Sequence, residues 1–289
     1  MQGEKRETLV KGIVERYYIL KGKGLMEVEI ILLKLKNWFD DYTSGFYSKE
    51  PMVQQNMILK AEHTRRVCEA ILIIGGSLNL SSEDLFIAET CALLHDIGRF
   101  EQYKRYRTFS DHKSKDHAAL GVDVIQELHV LDGIAPETAE MIVRAVKYHN
   151  RAILPENQTP RGLLFLKLLR DADKVDIWRV VTEYYHRSEN QRNRSIELDL
   201  PDTPQVSDAV YDSLMNRTLV QMSDLKTLTD FKLLQMGWVY DLNFPMTFQI
   251  VREKRFLESL WDALPTSSSR VREIYKMVLG HVAENVFQR

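Results

Sequence analysis

Apolar residues recur at three- and four-residue spacing through most of this chain, which is the signature of amphipathic helices packed on a core. Residues 26–40 (MEVEIILLKLKNWFD) predict a first helix, preceded by a polar extension whose Gly12, Gly22 and Gly24 weaken helical order. A long helix over 53–74 is expected to stop at Gly75-Gly76, glycine being common just past a helix C-terminus. Ser81-Ser82-Glu83-Asp84 supplies an N-cap and an acidic first turn for the next helix, which runs to His95. The stretch from Phe100 to Lys115 is basic and aromatic and is expected to be a loop. Further helices are expected over 117–130, 136–149, 161–187, 205–235, 248–263 and 267–287. Asp132-Gly133, Pro155, Pro160, Pro201, Pro204, Pro245 and Pro265 punctuate them. There is no internal repeat, no low-complexity tract and no alternating strand pattern, so the expected fold is all-α.

Composition narrows the function classes. A chain of 289 residues with 44% hydrophobic content can bury a large core. Lys plus Arg number 39 against 41 Asp plus Glu, a net charge of −2, which argues against a binder of polymeric nucleic acid. No apolar run reaches the roughly 20 residues of a membrane span, and Met1 to Arg6 lacks the apolar core of a signal peptide. The expectation is a cytoplasmic chain with no membrane partner. Cys68 and Cys91 lie in helical stretches at a spacing that fits no zinc motif, and are expected to be buried thiols.

Four histidines fall in phase with apolar helix faces. His63 lies on the line Leu59, His63, Val67, Ala70, and His95 completes Ala88, Cys91, Ala92, His95. His117 opens His117, Leu120, Gly121, Val124, and His149 closes Ile142, Ala145, Val146, His149. A single buried histidine is ordinarily a core residue satisfied by one hydrogen bond. Four of them beside the acid Asp96 point instead to a shared cation, because burying several imidazoles without a common partner is costly. Such a nitrogen and oxygen set suits a borderline divalent metal. The segment from Leu168 to Asp176 offers a further acid. Asp173 shares a face with Leu166, Leu169 and Ile177, while Asp171 shares one with Leu168, Val175 and Trp178, so periodicity leaves both open.

The ordered set His63, His95-Asp96, His117, His149 and Asp173, with the blocks LLHDIGRFEQY, TFSDHKSKDHAALG, KYHN and LRDADKVDI, resembles the HD superfamily of metal-dependent phosphohydrolases. The resemblance is strong over about residues 37–187. It implies an all-α HD-domain helical bundle with extra C-terminal helices: an N-terminal extension and first helix over 1–36, an HD core over 37–187, and a helical extension over 188–289 packed on that core. It implies a first metal position made by His63, His95, Asp96 and Asp173. The acid is chosen by its Ala172-Asp173-Lys174-Val175 setting, which leaves Asp171 as a residue that orients a ligand. His117 and His149 match the two further histidines that hold a second ion in some relatives, with Asp96 bridging ions roughly 3.5–4 Å apart.

The implied activity is cleavage of a phosphoester of a nucleotide or other small phosphorylated molecule by a metal-activated water, using one or two divalent ions (Mn, Fe, Ni, Zn, Co or Mg). Asp96 and Arg99 are the expected catalytic residues, Arg99 standing where relatives often have lysine. Arg99, Lys104, Arg107 and Lys147 are the expected substrate contacts, and Lys147 and Lys174 are candidates for assisting the leaving oxygen. Interleaved aromatic and basic residues in 100–115 fit either a base-stacking loop or a solvated loop anchored to the core. The alternative function is a catalytically silent HD-fold module that senses a nucleotide. Cyclic-dinucleotide hydrolysis of the HD-GYP kind is weakened by the absence of a Gly-Tyr-Pro tripeptide. His186 and His281 are read as non-ligands, the polar stretch 188–204 as a linker or lid, and the C-terminal helices as closing over the site or forming a homodimer.

Overall fold

The structure is a computed structural model that describes residues 23–186, 197–198 and 200–286. The N-terminal extension up to residue 22, and most of the polar segment after residue 186, lie outside the described residues. Helix α1 (Lys23–Ser44) packs Leu35 and Phe39 onto α3. Helix α2 (Pro51–Ser77) begins with proline in its first turn, where the missing N–H costs nothing. It runs through Gly75 and Gly76, which do not end it as expected. A Cβ on Gly75 would sit 3.0 Å from the Leu85 side chain, and the chain turns later, at Asn79 with φ 54°.

Helix α3 (Ser82–Leu94) is capped by Ser81, whose hydroxyl accepts from the Asp84 N–H. Every residue from Phe86 to Leu94 is buried, so α3 is the central helix, with α1, α2, α6 (Pro136–Tyr148) and α7 (Pro160–Tyr185) packed around it. The stretch 100–115 is not wholly a loop. Helix α4 (Gly98–Tyr106) forms because Phe100 and Tyr103 share one buried face while Lys104 and Arg105 point outward, and Arg107 ends it in the left-handed region at φ 54°. Helix α5 (His117–Glu127) is capped by the Asp116 carboxylate, which accepts from Ala118 N–H.

Two predicted helices divide. The region 205–235 contains α8 (Asp208–Met215) and α9 (Leu228–Gly237), because Asn216 Nδ2 and Thr218 N–H bond back to the Asp212 and Ser213 carbonyls and Arg217 turns at φ 56°. The region 248–263 contains α10 (Pro245–Glu253) and α11 (Phe256–Asp262), separated at Arg255 with φ 55°. Helix α12 (Ser269–Val286) follows. No strand occurs among the described residues, and no described helix is long and apolar enough to cross a membrane.

Two apolar cores result. Helices α1 to α6 and the first half of α7 enclose one, and the second half of α7 with α8 to α12 encloses the other. The 26 residues of α7 extend about 39 Å. Phe165, Leu168, Leu169 and Ala172 lie in the first core, and Trp178, Val181, Tyr184 and Tyr185 in the second. Asp173 sits at the junction. Cys68 and Cys91 are buried free thiols, and burial pushes both well above the ordinary thiol range.

Candidate metal centre

The helix faces read from the sequence converge on one point. His63 on α2, His95 at the end of α3, His117 at the start of α5 and His149 at the end of α6 are all buried, as is Asp96. His63 Nε2 lies 3.3 Å from His95 Nε2, 3.1 Å from Asp173 Oδ1 and 3.6 Å from Asp96 Oδ2. His95 Nε2 lies 3.7 Å from each of the same two carboxylate atoms. Ligands about 2.0–2.1 Å from one ion stand about 3.0–3.4 Å apart in octahedral or tetrahedral order, so this set needs only slight contraction to surround one. On the other side, His117 Nε2 lies 3.0 Å from His149 Nε2 and 3.4 Å from Asp96 Oδ1, which is 4.0 Å from His149 Nε2. Asp96 thus turns one carboxylate oxygen toward each histidine pair.

The opposite edge of every imidazole is held. His63 Nδ1 donates to Asp176 Oδ2 at 2.7 Å and His117 Nδ1 to Asp111 Oδ2 at 2.8 Å. His95 Nδ1 donates to the Ala92 carbonyl and His149 Nδ1 to the Val146 carbonyl, each at 2.7 Å. Carboxylates and carbonyls only accept, so the four Nδ1 atoms carry protons and the four Nε2 atoms point inward. Burial and Lys60 push His63 down, but its bonds to Asp173 and Asp176 outweigh them and raise it. Imidazole Nε2 atoms that face one another at 3.0 and 3.3 Å beside two carboxylates form a donor set that fits a divalent metal. Burial drives the His117 imidazole down and pushes His149 down to about 3, so both stay neutral as ligands must. Burial alone raises Asp96, but Lys60, His95, Arg99 and His117 outweigh it and hold its carboxyl well below the usual range. Burial alone raises Asp173, but the adjacent His63 and His95 imidazoles outweigh it and hold its carboxyl well below the usual range.

Three groups around the cluster were not singled out from the sequence. Lys60 Nζ reaches Asp96 Oδ2 at 2.7 Å, Asp176 also binds Arg66, and Asp111 joins His117 to Arg99 and Gln102. Lys60 and Asp176 had a usable signal, each lying one turn from a histidine or acid on the same face, at 60 with 63 and 176 with 173. Asp111 had none, because it approaches from a loop. Asp171 lies away from the cluster. Its carboxylate accepts from Asn243 Nδ2 (2.8 Å), Thr247 Oγ1 (2.8 Å) and the N–H groups of Asn243 and Phe244.

The cluster opens into a cavity of about 580 Å³. Of the expected substrate contacts, Arg99 and Arg107 line it. Arg99 is held by Asp96, Gln102, Asp111 and the Phe109 carbonyl. Lys104 turns to Glu101 and the Phe46 ring, and Lys147 lies over Tyr148, so neither reaches the cavity. Lys174 does line it, paired with Asp241 at 2.7 Å. In the aromatic stretch, Tyr103 accepts from Asn56 and packs on Phe109, which is the anchoring arrangement rather than a free stacking platform.

Residues 61–178 match the sequence model of the HD domain. A protein of Bacillus subtilis (strain 168) carrying the name "Putative phosphohydrolase YueE" is 32% identical over 92 residues, a match spanning 31% of this chain and 52% of that relative. This chain thus covers about half the length of that relative, and no solved structure matches. The all-α bundle and the converging histidine faces agree with the HD-domain match over residues 61–178.

Proposed function

We propose that this protein is a metal-dependent phosphohydrolase that cleaves a phosphoester of a small phosphorylated molecule, with His63, His95, Asp96, Asp173, His117 and His149 as its ligand set. The observation that carries this reading is the division of Asp96 between two histidine pairs whose inward Nε2 atoms are 3.3 and 3.0 Å apart. One bound divalent ion, or two, would supply a water acidic enough to attack at neutral pH and would polarise the phosphoryl oxygens. The chain's own residues prepare that site. Asp176 and Asp111 fix the rings of His63 and His117, and the backbone carbonyls of α3 and α6 fix those of His95 and His149. Lys60 and Arg99 bring positive charge to the cavity wall beside Asp96, where the phosphoryl oxygens would gather negative charge. Lys174, one residue beyond Asp173, faces the cavity while paired with Asp241, and a departing oxygen would have to draw it from that pair.

The test is elemental analysis of the purified protein joined to phosphate release from a panel of phosphoesters with each metal added back. Bound metal with metal-dependent release, both abolished in Asp96→Asn and His95→Ala, is the expected result. Retention of metal and activity in those variants overturns the ligand assignment, and bound metal without release from any phosphoester favours the sensing module.

A further inference from the structure

The cavity has two chemically different ends. At the metal end stand Lys60, Arg99, Asp173, His63 and His149. Beyond the Lys174–Asp241 pair, the wall is made by Ile177, Val180, Leu219, Val220, Phe231 and Trp238, from α7, the segment before α9, the first turn of α9 and the residue that follows it. Ile177 and Val180 follow Asp173 by one and two turns on the same helix face, so the apolar wall continues for about 10 Å from the cluster. At this end Gln235 Oε1 accepts from the Tyr185 hydroxyl, its carbonyl accepts from the Trp178 indole, and Asp241 binds Lys174 and Arg170.

A nucleobase placed against Ile177, Val180, Leu219 and Val220 would turn its ring donors and acceptors to hydrocarbon, a penalty that an aliphatic group does not incur. We propose that the substrate is an amphiphilic phosphoester, with its phosphate at the metal end and an aliphatic group of roughly eight carbons along the 10 Å wall. This rests on the phosphohydrolase reading and names the substrate class within it. In the reaction, water adds to phosphorus and the bond from phosphorus to the alkyl oxygen breaks. The alkyl oxygen takes up a proton, and the products are an aliphatic alcohol and inorganic phosphate.

The test separates binding from turnover. The metal-loaded full chain is titrated calorimetrically with methyl-, butyl-, hexyl- and octylphosphonate below their micellar concentrations, and with adenosine monophosphate. Their carbon–phosphorus bond cannot be hydrolysed, so affinity is read without turnover. Affinity is expected to rise about fourfold per methylene up to octyl, and kcat/KM for the matching alkyl phosphates to rise in parallel. Phe231→Asn, at a side chain only partly buried against the cavity, is expected to flatten the dependence, and Phe231→Leu to keep it. If Phe231→Asn does not fold, Val180→Thr replaces it. A flat dependence, a dependence unaltered in these variants, or tighter binding of adenosine monophosphate overturns the proposal. Chain-length-dependent binding without phosphate release supports the apolar chamber while removing the catalytic reading. Equal release from nucleotides and all alkyl phosphates does the reverse.

Discussion

The four imidazoles depend on what lies behind them. His63 keeps its Nε2 turned inward only while Asp176 accepts from Nδ1 at 2.7 Å, and Asp176 also receives Arg66. Replacing Asp176 by alanine frees the ring to change tautomer and rotate, and metal affinity is expected to fall about 10- to 100-fold, measured by competition with a chelating dye. The thiols give a second expectation at this scale. Because burial drives Cys68 and Cys91 well above the usual range, neither is a thiolate near pH 8, and both are expected to resist Ellman's reagent until the chain is denatured. The sequence is most legible at this scale, for a physical reason: a helix face records in its spacing which histidines look inward, and all four predicted faces meet at one cluster. The two acids on α7 were not separable that way. Asp171 is occupied by Asn243 and Thr247, partners 72 and 76 residues away, and no local pattern records so distant a contact.

Helix crossings set the distances between those residues. A Cβ on Gly98 would fall 2.1 Å from the His117 carbonyl and 2.4 Å from the Gly121 N–H, so α4 and α5 approach at a point where only glycine fits. That approach carries His117 to within 3.4 Å of Asp96. Gly98→Ala must therefore push the two helices apart. The expected cost is about 3 kcal/mol of stability, read by urea unfolding, with a drop in metal content as His117 moves away. The long helices were legible because their apolar stripes persist over several turns. Helix α4 was not, since its two buried aromatics, Phe100 and Tyr103, stand among charged residues that read as a loop. The breaks inside 205–235 and 248–263 were hidden for the opposite reason. Apolar spacing continues across Arg217 and Arg255, and the left-handed turns there are made by non-glycine residues with no sequence mark.

At the scale of the whole molecule, α7 is the shared wall of both cores, and Asp173 lies where they meet. The cluster also ties α2, α3, α5 and α6 to that wall, so loss of bound metal is expected to loosen the assembly. Chelation should lower the melting temperature of the as-isolated protein, and metal present at 100 times its dissociation constant should restore about 2.7 kcal/mol. The C-terminal helices are coupled to the same place: Arg170 binds the His149 and Arg151 carbonyls and Asp241, while Asp171 binds the start of α10. Truncation after residue 187 would expose Trp178, Val181, Tyr184 and Tyr185, whose burial is worth about 1.5–3 kcal/mol each, or about 6–12 kcal/mol together. That sum is comparable with the roughly 5–15 kcal/mol that holds a whole domain folded. It would also strand the Arg170 and Asp171 charges and remove the Phe231 and Trp238 wall of the cavity. A fragment of residues 1–187 is therefore expected to aggregate or to elute as a soluble oligomer in size-exclusion chromatography. A monomeric fragment that unfolds in one cooperative step and binds metal would show that the first core stands alone, and that the C-terminal helices serve the cavity without holding the fold.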